Sequence, residues 1–223
     1  MFYPAQAPPK EVRCTSGGTD LLLRRSRVSD APELVNAIEE SVQALRAFMP
    51  WVHFPKGNTV AAQEERLQGL DAAWEAKQEF VYHMFRVDEG GQERFVGCIG
   101  LHPRCNHSRA LEVGYWVRTA EAGQGVCTLA VQLVVLTAFQ HLNLERLQVG
   151  CDRANLGSRR VIEKVGFPYE GALRNMLPFE CPASIRENGW LGTGTMCMYA
   201  LIPSDLNSLE WVAPLSSRLQ SSV

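Results

Sequence analysis

The chain has 223 residues, 46% of them hydrophobic and 21% charged, with a formal net charge of −2. That length suits one domain with a full core. The balanced charge, without a basic run, offers no field that would draw the chain to nucleic acid or membrane, and no apolar run reaches the roughly 20 residues of a bilayer span.

Cysteines stand at positions 14, 98, 105, 127, 151, 181 and 197. Their number is odd, none forms a C-x-x-C, and no spacing pairs them with histidines. A disulfide scaffold and a metal site both fit poorly. Several lie in apolar runs, where a free cysteine acts as a small core residue. A reducing compartment, the cytoplasm, is the expectation. The opening MFYPAQAPPKEVRC lacks the basic-then-apolar order of a secretory signal.

Residues 1–18 hold three prolines and a Gly-Gly pair, and read as a flexible arm before a domain spanning 19–204. LLLRRS (21–26) reads as a first strand. SDAPELVNAIEESVQAL follows, with Asp30 as N-cap, Pro32 in the first turn and Glu33 completing a capping-box signature. RAFMPWVHFPKGN is a loop rich in large side chains, and a second helix is expected over 59–78. EFVYHMFRV and RFVGCIGLH are β-type runs split by the hairpin signal DEGGQE. ALEVGYWV is a further strand: Leu111, Val113, Tyr115 and Val117 share one face, and Glu112, Gly114 and Trp116 the other.

Val126 to Leu142 is apolar on nearly every side, so that helix is buried. ERLQVG reads as a strand. NLGSRRVIEKVG is an amphipathic helix with Asn155 as N-cap and Gly166 just past its end. FPYEGALR and TMCMYALI supply two more strands. The polar tail, 205–223, is expected to fray. The sum is a mixed α+β domain around one sheet.

EAGQGVCT (121–128) joins a strand to the buried helix. A helix start leaves about four N–H groups unpaired and carries partial positive charge, and glycines let backbone approach an anion closely. Gly123, Gln124, Gly125, Val126, Cys127 and Thr128 would supply those amides. A tight turn with no ligand explains the same residues. No lysine follows the second glycine, so a Walker A loop is excluded, and the third glycine of a dinucleotide fingerprint is missing.

Flanking motifs narrow the choice. Residues 111–174 carry E-V-G-Y-W on a strand, G-x-G opening a helix, N-x-x-S opening the next, then G-F and E-G-x-L-R. This stretch resembles the GNAT family of acyl-CoA-dependent N-acyltransferases, above all the branch of ribosomal-protein N-terminal acetyltransferases; FMPW after the first helix is similar to that branch too. The resemblance implies a single GNAT-like domain. Its central twisted sheet would be mostly antiparallel, with a splayed parallel strand pair and about four flanking helices. The loop departs from the family pattern at Ala122, where Gln or Arg is usual, and at Cys127, the final small position. Backbone donation survives both changes, while a side-chain contribution at 122 is lost.

The resemblance further implies acetyl-CoA (coenzyme A) as cofactor and no metal. The loop amides would hold its pyrophosphate, and Trp116, Val117 and Arg118, with Asn155, its pantetheine arm. Glu112 becomes the candidate base and Ser158 the proton donor to the thiolate. A strand salt bridge explains Glu112, and a first-turn helix serine Ser158, without any catalysis. Met49, Trp51 and Phe54, with His83, Glu170 and Arg174, are the candidate acceptor-side residues; His102 reads as structural. Cys127 as a nucleophile is disfavoured, since the cofactor needs the amides around it. The partner would be an amine, on a peptide N-terminus or a small molecule, and a homodimer is left open. A non-catalytic acyl-CoA-binding protein and a nucleotide-binding module are the competing readings.

Overall fold

The computed structural model describes residues 4–53, 55–103, 109–176, 185 and 188–222. Strands β1 (Glu11–Ser16) and β2 (Thr19–Arg25) precede helices α1 (Ala31–Arg46) and α2 (Val60–Glu75). Then come β3 (Phe80–Val87), β4 (Glu93–His102), β5 (Ala110–Val117), α3 (Val126–His141), β6 (Arg146–Asp152) and α4 (Leu156–Val165). Strands β7 (Tyr169–Leu173) and β8 (Met196–Leu201), the short helix α5 (Val212–Ser216) and β9 (Gln220–Ser222) complete the chain. Among the described residues, nine strands form one sheet in the order β7-β8-β6-β5-β4-β3-β2-β1-β9. Every pairing is antiparallel except β5 with β6.

Alternation along the strands sends odd and even residues to opposite faces. One face packs against α3, where Leu111, Val113, Leu147 and Val149 meet Leu133, Val134 and Ala138. The other carries a smaller core under α1 and α2, built on Leu34, Ile38, Leu67, Phe85 and Phe95. Helix α3 is buried around most of its circumference, as its continuous apolar run requires.

Both ends of the chain differ from expectation. Val12 and Cys14 are 0% and 1% exposed, and β1 pairs with β2 through Gly17 and Gly18 at φ 56° and 76°. Two left-handed residues in a two-residue loop fit the hairpin twist, so the glycines punctuate a hairpin rather than loosen an arm. Tail residues 220–222 add β9 to β1, Leu215 is buried, and Trp211 donates to the Val165 carbonyl at 2.9 Å. Apolar anchors in a mostly polar segment dock it.

The expected cap of α1 also changes. The Asp30 side chain makes no cap bond to α1; it accepts from the Arg27 N–H at 2.9 Å, from Arg24 Nη2 at 2.9 Å and from His83 Nδ1 at 2.7 Å. Buried charge is stable only when paired and hydrogen-bonded. Burial opposes ionisation of Asp30, but those donors outweigh it and hold the carboxyl well below the usual range.

Candidate active site

Register sorts the cavity-facing residues into rows. On the α1–α2 side, His102 of β4 lies opposite Glu112 of β5, which lies opposite Gln148 of β6. Glu79, just before β3, closes this row: its Oε1 is 2.5 Å from His102 Nδ1. Gln148 Nε2 donates to Glu112 Oε2 at 3.0 Å. The next row is glycine: Gly100 opposite Gly114, with Gly150 on β6. Beyond it stand Cys98 and Trp116, with Asp152 on β6. Over this floor lies a cavity of about 1150 Å³, roofed by the segment joining α1 to α2. Met49 and Trp51 line it, and the Trp51 ring stands 6.1 Å from that of Trp116.

The cavity runs into a gap in the sheet. Strand β5 pairs with β6 only at Ala110–Glu112, and β6 then continues beside β8. Antiparallel partners alternate between bonded and non-bonded pairs. Arg118 donates its N–H to the Val96 carbonyl at 2.9 Å, so Trp116 and Gly114 face β4 in the same way. The backbone groups aimed across the gap therefore belong to Tyr115 and Val117 and to the carbonyl of Val113, whose N–H closes the last bridge at Glu112 and Gln148. Of the three residues expected there, Val117 qualifies. Trp116 and Arg118 spend their backbone on β4, and the Arg118 guanidinium lies toward α1, 3.4 Å from Glu40 and over Phe95.

Beyond the gap lies the glycine loop. Gly123 and Gly125 take φ 78° and 83°, left-handed conformations that favour glycine. A Cβ at either would meet nothing within 4 Å, so the demand is conformational and the space above is open. The first amide bonded within α3 is that of Leu129, to the Gly125 carbonyl at 3.0 Å. Among the described residues, the N–H groups from Gly123 to Thr128 have no partner. The Gln124 side chain is not available: it donates to the Ala120 carbonyl at 2.6 Å and accepts from Arg86 at 2.7 Å. Arg86 also holds Glu121, only 2% exposed, at 3.0 Å. This network stiffens the loop in the absence of a long side chain at Ala122. Burial pushes the Cys127 thiol up to about 12, which opposes a nucleophilic role.

At the start of α4, Asn155 caps the helix by accepting from the Ser158 N–H at 3.1 Å. The Ser158 hydroxyl is 2.9 Å from that of Tyr115, and both residues line the cavity. Tyr115 escaped sequence reasoning because its alternation places it with the apolar face. That face also carries α4, and nothing in β5 alone announces that the Ser158 hydroxyl lies there.

The other acceptor-side expectations divide. His83 is 0% exposed, bound to Asp30, and outside the cavity. Its row carries it under α1, where burial lowers its proton affinity. Glu170 is held by Arg146 at 2.5 and 2.7 Å on the outer strand β7, and Arg174 lies in the turn beyond; neither lines the cavity. Phe54 lies outside the described residues. His102 and Glu79 do line the cavity and were missed as functional, because cross-strand register is not written in either strand alone.

Residues 20–168 match the acetyltransferase (GNAT) domain family. The probable N-acetyltransferase YjcK of Bacillus subtilis is 30% identical over 158 residues, 70% of this chain and 85% of that protein. The ribosomal-protein-serine acetyltransferase of Escherichia coli is 28% identical over 94 residues, 42% of this chain and 50% of its own. Among solved structures, Mycobacterium smegmatis RimJ in complex with CoA-disulfide superposes with a TM-score of 0.74 at 21% identity, covering 99% of this chain and 100% of that one. The chain belongs to the GNAT acetyltransferase family and is an acyltransferase.

Proposed function

We propose that the protein transfers an acetyl group from acetyl-CoA to a primary amine, with the N-terminus of a peptide or protein as the favoured acceptor, and that it does so in the cytoplasm. One observation carries this reading: the gap between β5 and β6 joins an open cradle of unpartnered amides to a cavity floored by Glu112. The residues present fit the cofactor. The amides of Gly123 to Thr128 would hold its pyrophosphate, and the gap-facing backbone of Val113, Tyr115 and Val117 its amide-bearing arm, with Asn155 beside it. When bound, acetyl-CoA supplies an acetyl group activated as a thioester.

The chain supplies the rest. Glu112 draws a cationic amine to the floor and is the first candidate to take its proton, directly or through a water. An α-amino group titrates near 8 and a lysine near 10.4, so an N-terminus asks far less of the base. A ribosomal-protein acetyltransferase among the relatives agrees with that preference. The Ser158–Tyr115 hydroxyl pair faces the gap and is placed to return a proton to the departing sulfur.

The test is release of free thiol from acetyl-CoA with hexapeptides begun by Ser, Ala or Met and with small amines. CoA binding without turnover on any amine would leave a non-catalytic binding protein, and ATP binding tighter than CoA would sink the reading altogether. Replacing Ser158 by Ala should lower kcat about tenfold or more, within the range of general acid catalysis, and leave the affinity for acetyl-CoA nearly unchanged. An unaltered kcat removes Ser158 from the chemistry.

A further inference from the structure

His102 stands on the cavity floor with Glu79 on one side and Glu112 on the other. A carboxylate accepts only, so the 2.5 Å contact with Glu79 Oε1 places the ring proton on Nδ1. Nε2 is left as an acceptor. Among the described residues it makes no hydrogen bond, and the ring edge that carries it stands over the glycine row. A Cβ on Gly100 would stand 2.8 Å from Nε2, and one on Gly114 3.0 Å from it. Two adjacent strands thus each lack a side chain where the imidazole lies.

We propose that His102 is a further catalytic residue, whose Nε2, in place of Glu112, takes the proton that the acceptor amine gives up. The inference rests on the acetyl-transfer reading and deepens it. Glu79 holds the ring in one tautomer, and Glu112, its Oε2 already accepting from Gln148, holds the incoming ammonium. The amine N–H bond breaks and its proton passes to Nε2. The freed lone pair forms the bond to the acetyl carbon. The carbon–sulfur bond breaks, and the thiolate leaves with that electron pair and takes a proton from the Ser158–Tyr115 hydroxyls; the new amide nitrogen then loses its second proton, which passes through water back to that hydroxyl pair, and Nε2 returns its own proton to solvent. The imidazolium formed lies between two carboxylates, and among the described residues Arg66 of α2 and the Cys98 thiol also line the cavity. Imidazole is the side chain best matched to proton transfer at neutral pH.

The experiment measures thiol release on the hexapeptides for the wild type, His102→Ala, Glu79→Gln and Glu112→Gln, with CoA affinity measured by calorimetry. His102→Ala should lower kcat about 100-fold or more and keep CoA affinity within about twofold. Added imidazole, which fits the space over Gly100 and Gly114, should restore much of the lost rate. Glu79→Gln should lower kcat about tenfold, and imidazole should not rescue it. If His102→Ala does not fold, His102→Gln keeps a donor toward Glu79 and should show the same loss of kcat. Wild-type kcat in the His102 variants, with loss confined to Glu112→Gln, overturns the assignment, as does a loss in His102→Ala that imidazole cannot restore. A wild type that binds CoA yet acetylates no amine fails at acetyl transfer instead, and His102 then has no reaction to serve.

Discussion

Gly114 shows what a missing side chain does at the scale of one residue. Alternation along EVGYW places it on the face of Glu112, and that much is legible in the strand. The purpose of the glycine is not, because the atom occupying its space belongs to His102 on the neighbouring strand. The two strand histidines make the same point. His83 and His102 look alike in sequence, yet one sits under α1 against Asp30 and the other lines the cavity beside Glu112. Burial and register separate them, and both are set by distant residues. Gly114→Ala is therefore a local probe. A Cβ there meets His102 Nε2 at 3.0 Å and Cδ2 at 3.2 Å, both at the far end of a side chain that can turn aside. The fold should hold, while kcat on peptide N-termini falls about tenfold or more as the base is displaced. A melting temperature close to wild type with lost turnover supports this; full turnover would show that the ring position does not matter.

At the scale of elements, periodicity located nearly every strand and helix of the domain, because each buries one face and its pattern says so. The exceptions are β1, α5 and β9. Strand β1 has its own alternation, Val12 and Cys14 between polar residues, but three prolines and paired glycines nearby outweighed it. Strand β9, QSS, has no apolar pattern at all; pairing with β1 makes it a strand. The Asp30–Arg24–His83 cluster, which ties α1 to β2 and β3, carries a prediction about pH. Burial keeps His83 below its ordinary 6.5, so below that value the unfolded chain takes up a proton that the folded chain refuses. Stability is then full above about pH 6.5 and declines as pH falls. Asp30, held below 3.8, adds a second loss under more acidic conditions, when the unfolded chain again binds the extra proton. Thermal melts from pH 8 to pH 5 should show a falling melting temperature in the wild type and a flatter profile in His83→Gln. Equal slopes would mean that His83 is not the group being titrated.

At the scale of the whole molecule, the sheet is continuous for nine strands, yet β5 and β6 part after a short stretch of pairing. An unpaired stretch of parallel strands leaves backbone groups without partners, which is costly in a buried setting. A ligand with its own amides can satisfy them. The glycine loop, the gap and the polar row lie in sequence along this opening, so binding and chemistry share one line through the sheet. The motifs around β5, α3 and α4 make that line legible as a family resemblance, whereas the depth of the gap follows only from the pairing of β6 with β8. Amide hydrogen exchange reads the arrangement directly. Without ligand, the N–H groups of Tyr115 and Val117 should exchange much faster than that of Arg118, which is bonded to Val96. Saturating CoA should slow those two and leave Arg118 unchanged. Ligand at about 100 times its Kd stabilises the fold by about 2.7 kcal/mol, which for a chain of this size raises the melting temperature by roughly 5–10 °C. Protection of Arg118 and Trp116 in place of their odd-numbered neighbours would mean that β5 presents its other edge to the cofactor, and the route through the gap would be wrong.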